Sequence, residues 1–363
     1  MITIVGSGPA GSHLAYLLAK AGKKVRILEE DREVGIPIQC TGIVTSSILD
    51  HIKIPEELIL TRLTKAKIIV PSGKSLTFNL KKPDLILHRE NFDKYLAKKA
   101  VEAGAELLLE TRFIKNEEKK IFVKKRNGEE YSFETDFLIG ADGPNSAVAR
   151  ANDLLKPKQR TFVSGAQSQS RMDFEKDTFE VWLGYGSFAW VVPEGKETAR
   201  IGLVAYKNVK EEFERLMNDR AKNTISLSYQ GGLIPLYDPK QILEKNNFVY
   251  LLGDAATHVK APSFGGIIQG LIGAESLAEA ILEGKEYTSL INKKLRKDLL
   301  HSLWIRKIMD KFSKEDYDDL LNLVTKKKIK EIIETYERDH PSRFLWKIII
   351  REPRLLKFFI KIF

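Results

Sequence analysis

Two periodicities alternate along this chain. Ile2-Thr3-Ile4-Val5 is a short apolar run suited to a buried strand, and it runs into Gly6-Ser7-Gly8-Pro9-Ala10-Gly11. A helical pattern continues through Lys20. Gly22, a second apolar run at Val25-Arg26-Ile27-Leu28 and the acids Glu29-Glu30 follow. Farther on, Lys67 to Val70 and Ser75 to Leu80 flank Pro71-Ser72-Gly73-Lys74, a hairpin signal. Leu85 to His88 is a brief extended run. Arg89 to Ala103 repeats Phe92, Leu96, Ala100 and Ala103 at helical spacing, and Gly104 stops it. Ala105 to Leu109 is a strand. Ile121 to Lys125 and Tyr131 to Glu134 surround Asn127-Gly128 as a small meander. Phe137 to Gly140 again has the short apolar character of a buried parallel strand, and Pro144 suits a helix start.

From Arg160 to Leu236 the pattern becomes strand-like, at Phe179–Leu183, Phe188–Val192, Ala199–Ala205 and Thr224–Leu227, with a helical insert near Lys210–Asn218. A buried strand returns at Asn247–Leu252, and a small-residue helix runs from about Gly265 to Leu282. The rest is helical and lysine-rich. The fold class is therefore α/β: a discontinuous dinucleotide-type domain, an antiparallel-sheet domain and a helical C-terminal region. The boundaries expected are 1–65, 85–155 and 245–285 for the first, 66–84 and 156–244 for the second, and 286–363 for the third.

The N-terminal order of strand, glycine turn, helix, strand and acid is what a dinucleotide needs. Gly6 permits the tight turn, Gly8 lets the backbone approach a pyrophosphate, and Gly11 lets the helix pack on the strand. The helix N-terminus offers free N–H groups, and Glu29 can accept hydrogen bonds from a ribose. The bland alternative is a glycine turn in some other α/β protein. Two further glycine-acid turns, Gly140–Gly143 and Gly253–Asp254, each follow a buried strand. Ligands of open α/β sheets sit beyond the carboxyl ends of the strands, so three such turns would line one crevice. Taken singly, each is equally an ordinary helix cap.

Composition narrows the classes. The hydrophobic share of 43% and charged share of 30% are those of a globular protein. A single cysteine excludes an intrachain disulfide framework and a CxxC metal site, and suits a reducing cytoplasm. The net charge is +10, but lysine and glutamate are interleaved and no aromatic-basic platform is present, so nucleic acid is not expected as a partner. Neither a basic leader nor a run of 18 apolar residues is seen, so no signal peptide or membrane span is expected.

The succession GSGPAG, HRENFD, GADGPNS and GDAATHVKAPSFGG resembles the FAD-dependent oxidoreductases of the aromatic-hydroxylase-like superfamily, and more closely the geranylgeranyl reductase family. Gly35 to Gly42 (GIPIQCTG) resembles that family's flavin-side cysteine loop, and Phe188 to Pro193 (FAWVVP) its substrate-domain signature. The resemblance covers about Ile2 to Glu283. It implies an FAD-binding Rossmann-like domain of glutathione-reductase type. It also implies reduction of carbon–carbon double bonds in isoprenoid chains of lipids or quinones, with NAD(P)H or ferredoxin as electron donor. Gly6, Gly8, Gly11 and Glu29 would hold the ADP half of FAD. Cys40, Thr41 and Gly42 would lie near the isoalloxazine ring, Arg89 would contact the cofactor, and Phe113 would flank the adenine. Asp254, Gly266 and Ile267 would bind the ribityl-phosphate and ring. Cys40 and Trp190 are the flavin- and substrate-proximal candidates for catalysis. The family usually has Gly-Glu after the cysteine, where this chain has Thr41-Gly42. It often has tyrosine where Phe188 stands and phenylalanine where Val192 stands. These departures touch the substrate side. A flavin hydroxylase, a quinone-linked dehydrogenase and a non-catalytic isoprenoid-binding flavoprotein are the alternatives.

Several side chains carry two readings. Cys40 is either an inert small hydrophobe or flavin-proximal, and no nearby histidine supports it as a nucleophile. His258 and His88 are proton donors or hydrogen-bonded structural imidazoles. Trp182, Tyr185, Phe188 and Trp190 are sheet core or the wall of an apolar cavity. In the last segment, Arg343, Lys347, Arg351, Arg354, Lys357 and Lys361 stripe a helix whose other face is apolar. That is the layout of an interfacial helix on the cytoplasmic face of a membrane, or of a terminal helix packed on its domain. Pro353 would break it in two.

Overall fold

A computed structural model describes residues 1–38, 40–155, 160–222 and 224–362. Its strands are β1 (Ile2–Val5), β2 (Val25–Leu28), β3 (Ile43–Val44), β4 (Ile59–Ile69), β5 (Ser75–Leu87) and β6 (Glu106–Leu108). Then come β7 (Thr111–Glu117), β8 (Lys120–Lys125), β9 (Glu130–Glu134), β10 (Phe137–Gly140), β11 (Phe162–Arg171) and β12 (Thr178–Trp182). The series ends with β13 (Phe188–Pro193), β14 (Thr198–Ala205), β15 (Ile225–Pro235), β16 (Glu244–Lys245) and β17 (Val249–Leu251). The helices are α1 (Pro9–Lys20), α2 (Arg89–Glu102), α3 (Ala147–Ala151), α4 (Val209–Arg220), α5 (Ile267–Glu283) and α6 (Tyr287–Ile291). Beyond these lie α7 (Lys297–Met309), α8 (Lys314–Val324), α9 (Lys327–Thr335), α10 (Leu345–Arg351) and α11 (Leu356–Phe359).

The chain folds as two compact units. The first comprises Met1–Ile38, Arg89–Thr161 and Pro235–Leu299. Its six-stranded sheet runs β16-β17-β10-β1-β2-β6, parallel except for β16. The central strands β1, β10 and β17 are short and largely buried, as their mostly apolar runs require. Val5 pairs with Gly140, and Gly140 with Leu251, so the carboxyl ends of β1, β10 and β17 stand level. Helix α1 packs against both α2 and α5. The expected meander is a separate three-stranded sheet, β7-β8-β9.

The second unit comprises Gln39–His88, Phe162–Ile234 and Leu300–Phe363. Its eight-stranded sheet runs β15-β11-β14-β13-β12-β4-β5-β3 and is mostly antiparallel, with β12 and β4 parallel. The β4–β5 hairpin is longer than its sequence pattern shows. Irregularities between Ile59 and Thr61 and between Leu63 and Lys65 break the two-residue period, so only the regular tip reads as paired strands. The run at Leu85–His88 is the base of β5. Strand β11 has no apolar alternation, because Gln167, Ser168 and Ser170 are buried in it. Ile308, Leu323, Ile329, Ile332, Ile348, Leu355 and Phe358 form the core of the C-terminal helices. Among the described residues no helix is long and apolar enough to cross a membrane.

Candidate active site

The glycines of the first turn divide by what surrounds them. Gly6 has φ +100°, and a Cβ there would lie 2.4 Å from the Ala141 carbonyl oxygen. A Cβ at Gly11 would lie 2.2 Å from the Gly6 carbonyl oxygen. Both glycines are therefore explained by packing alone. Gly8 is not. Its φ is −62°, and, its chain neighbours aside, no atom of the described residues lies within 4 Å of where its Cβ would be. It is also the N-cap of α1, and no side chain caps that helix. Uncapped N–H groups therefore face open space, which is the local requirement for an anion. Glu29 is held at the rim of the same turn. Its carboxylate accepts hydrogen bonds from the Ser7 N–H at 2.9 Å, the Ser7 hydroxyl, and the Asp31 N–H at 3.0 Å.

The three turns converge at the level ends of β1, β10 and β17. Ala141 abuts Gly6, and the Ala10 Cβ would be 3.3 Å from a Cβ at Gly253 and 3.1 Å from one at Gly270. In the second turn, Asp142 accepts a hydrogen bond from the Val148 N–H at 3.1 Å, while its Oδ1 is buried without a hydrogen-bond partner among the described residues. Burial raises its pKa. Ser146, not Pro144, caps the short α3, its hydroxyl accepting from the Ala149 N–H. Pro144 lies ahead of the cap, where its carbonyl accepts from Arg160 Nη1 at 2.8 Å. In the third turn, Asp254 sits against the start of α5: its Oδ1 is 2.8 Å from where a Cβ at Gly266 would stand. Burial lifts the Asp254 carboxyl to about 6 against the opposing charges of Arg89 and Arg160.

Arg89, at the start of α2, also pairs with Asp93 at 2.9 Å. Ile267 begins α5 beside Gly266. Phe113 is buried on β7 opposite Val123, in the core of the small sheet. Arg160 belongs to no motif and was missed in the sequence reading. Its guanidinium bridges the second and third turns, donating to the Pro144 and Ala255 carbonyls and to Gln241. His258 is fully enclosed, and burial depresses its pKa to about 4. It is therefore neutral at neutral pH, as a structural imidazole would be rather than a charged acid.

The open N-terminus of α1, the tethered Glu29, and the Asp254 carboxylate at a second helix start fit the phosphates and polyols of FAD. A cavity-free turn, with Gly8 as tightly packed as Gly6, would not.

In the second unit, Cys40 is half-buried. The Gly42 N–H lies 3.4 Å from its sulfur, and its carbonyl accepts from Arg200 Nη1 at 3.0 Å. The Thr41 hydroxyl donates to Gln167 Oε1 at 2.7 Å. Trp190 is close by. A Cβ on Gly202 would lie 2.5 Å from the Trp190 indole and 2.7 Å from the Gln167 Cβ, so the missing side chain lets the ring lie across β14 beside Gln167. The Trp190 indole N–H is buried without a partner among the described residues. The four aromatics do not form one cluster. Strand alternation puts Phe188 and Trp190 together, 5.8 Å between ring centroids, against the core containing Leu63 and Phe78. Trp182 and Tyr185 pack instead with Leu216 of α4. A period of two separates neighbours that look adjacent in sequence.

A family model described as an FAD binding domain matches residues 1–233. The digeranylgeranylglycerophospholipid reductase of Methanocaldococcus jannaschii is 29% identical over 391 residues, covering 99% of this chain and 97% of the relative. Digeranylgeranylglycerophospholipid reductase 2 of Methanopyrus kandleri is 28% identical, covering 98% of each. Among solved structures, a geranylgeranyl bacteriochlorophyll reductase-like protein from Thermoplasma acidophilum aligns over 100% of this chain and 98% of its own, with a TM-score of 0.87 at 23% identity. A flavin-dependent brominase aligns over 92% of both chains, with a TM-score of 0.69 at 18% identity. At these identities the structural likenesses speak for the fold.

Proposed function

This chain belongs to the family carrying the FAD binding domain, and on that premise we propose that it is an FAD-dependent reductase of carbon–carbon double bonds in the isoprenoid chains of lipids. FAD is its cofactor. The observation that carries the reading is the end-to-end similarity to relatives named digeranylgeranylglycerophospholipid reductase. The substrate is accordingly a polyprenyl ether lipid or a related apolar isoprenoid.

Each residue has its part in this reading. The N–H groups at Gly8 and the start of α1 take the pyrophosphate, Gly6 and Gly11 shape the turn, and Glu29 takes the ribose. Phe113 backs the adenine side. Arg89, Asp254, Gly266 and Ile267 hold the middle of the cofactor and its ring. Bound FAD supplies the hydride. Cys40, Thr41, Gly42 and Trp190 line the reacting side. An isolated alkene has no charge to grip, so these residues act by apolar contact, alignment and exclusion of water. The electron donor is NAD(P)H or ferredoxin, a choice that anaerobic reduction by each in turn decides.

The C-terminal segment supports docking at the cytoplasmic face of a membrane, where such a lipid resides. Trp346, Ile350, Leu356 and Ile360 are exposed, and Arg343, Lys347, Arg351, Arg354 and Lys357 stand exposed among them. Ile348, Ile349, Leu355 and Phe358 face inward. Half of the apolar set thus completes the core, and half is left for the interface.

The test is anaerobic. The purified protein is reduced with dithionite, offered prenyl lipids and prenyl quinones, and product mass is followed. A gain of two hydrogens per double bond is expected. Product formed only after air is admitted, one oxygen heavier, would overturn the reading.

A further inference from the structure

Strand β11 buries Gln167 where a sheet ordinarily buries an apolar side chain, and Gln167 and the half-buried Gln169 of that strand join a single network with Glu194, Arg200 and Gln230. Arg200 on β14 pairs with Glu194, Nη2 to Oε1 at 2.6 Å, with both residues buried. Gln169 Nε2 donates to the other Glu194 oxygen at 2.9 Å. Arg200 Nη1 donates to Gln230 Oε1 at 3.1 Å, and Gln167 Nε2 donates to the same oxygen at 2.8 Å. The network leaves the sheet at two points, both on one loop. Arg200 Nη1 donates to the Cys40 carbonyl at 3.0 Å, and Gln167 Oε1 accepts the Thr41 hydroxyl at 2.7 Å.

This arrangement is a costly way to stabilise a sheet. A buried ion pair gives up the hydration of two charges, and an apolar pair of similar volume commonly does as well. The neighbours Ala199, Ile201 and Leu203 show that β14 packs without polar help. What the network adds is a fixed position for Cys40 and Thr41, which lie between β2 and β3, where no described residue belongs to a helix or strand. Arg200 and Gln167 stand on the paired strands β14 and β11, so the groups that reach the loop are placed by the sheet, and a connected set of hydrogen bonds favours one loop conformation over others.

We propose that Arg200, acting with Glu194 and through Gln230 and Gln167, is a positioning residue that fixes the Cys40–Thr41 segment in the geometry the reaction requires. The functional half of this statement rests on the reading that Cys40 lies on the reacting side. The clamp itself does not.

Cys40 is the single cysteine of the chain, so thiol labelling reports on this loop alone. Full-length, FAD-loaded protein is treated with monobromobimane and the rate of modification is followed. Arg200→Met is expected to speed labelling about tenfold, as freeing a held loop does. Arg200→Lys, which keeps one donor and the charge, is expected to return the rate to within about threefold of wild type. Leu216→Ala, on the buried face of α4, serves as a destabilised reference that leaves the clamp intact. A rate unchanged in Arg200→Met overturns the proposal. So does a rise no greater than that of Leu216→Ala at equal melting temperature, or no recovery in Arg200→Lys. If Arg200→Met does not fold, Gln230→Ala decides. It removes the shared acceptor and should speed labelling severalfold, and an unchanged rate overturns the proposal. Product mass separates the two claims. Faster labelling with no lipid reduced by wild type sinks the reductase reading and leaves the clamp standing.

Discussion

Two glycines two residues apart make opposite predictions. Gly6 has positive φ and lies against Ala141, so Gly6→Ala should cost the fold on the order of 2 kcal/mol or more, whether or not cofactor is present. Gly8 has ordinary φ and open space. Gly8→Ala should shift the unfolding midpoint of cofactor-free protein by less than about 0.5 kcal/mol, yet weaken FAD binding at least about tenfold by standing where the pyrophosphate goes. Titration with FAD and denaturant unfolding separate the two. His258 gives a pH prediction. Its pKa is held near 4 against an ordinary 6.5, so its contribution is present above about pH 6.5 and lost as pH falls through 4. The size is on the order of 3 kcal/mol. His258→Phe should flatten the fall in melting temperature across that window. Asp254 acts in the reverse sense: its folded pKa is about 6, so the stability it contributes below about pH 4 is lost as pH rises through 6. The glycines and Asp254 were legible because helix starts and tight turns demand those residue types at those offsets. Arg160 and Arg200 were not. Their importance comes from partners about 90 and 160 residues away along the chain, which no spacing encodes.

At the scale of elements, legibility followed the contrast between apolar and polar positions. β1 and β2 lie where the pattern placed them, residue for residue, and α1 ends at Lys20 as the pattern has it, though it begins at Pro9, inside the glycine turn. β11 escaped because three of its four buried positions are Gln167, Ser168 and Ser170, satisfied by hydrogen bonds rather than by exclusion of water. The hairpin was shortened by its own irregularities. The last segment shows the limit of a stripe read on a single ideal helix. Pro353 does divide it, α10 ending at Arg351 and a 3-10 turn beginning at Pro353. The outward apolar residues therefore come from separate short pieces. Replacing Trp346, Ile350 and Ile360 together by glutamate should leave the melting temperature within a few degrees, because all three are exposed. The same variant should lose most flotation with anionic liposomes. Undiminished flotation would reject this segment as the contact.

At the scale of the molecule, the net charge of +10 is spread over lysines many of which face nearby acids, as at Lys94 with Glu33 and Glu90 or Lys285 with Glu279 and Glu283. Such exposed pairs add little stability one by one. Their excess of positive charge acts instead on approach to anionic surfaces, so liposome binding should weaken as salt rises toward a Debye length of about 3 Å at 1 M. The discontinuous first unit was legible from three strand-and-turn repeats. The extent of the sheet in the second was not, since its strands are shared between two distant stretches of chain.

That discontinuity governs how the protein is made. The crevice needs β1 beside β10 and β10 beside β17, with Asp254 at the start of α5. During synthesis the first strand leaves the ribosome some 250 residues before the last of these parts exists. The nascent chain can form β1, α1 and β2 early, but their far partners come with a large loop-closure cost. Cofactor capture is therefore a late event of biogenesis. A ribosome-stalled chain ending before Asn247 should bind no FAD, and one extended past Glu283 and clear of the exit tunnel should be the first to hold it.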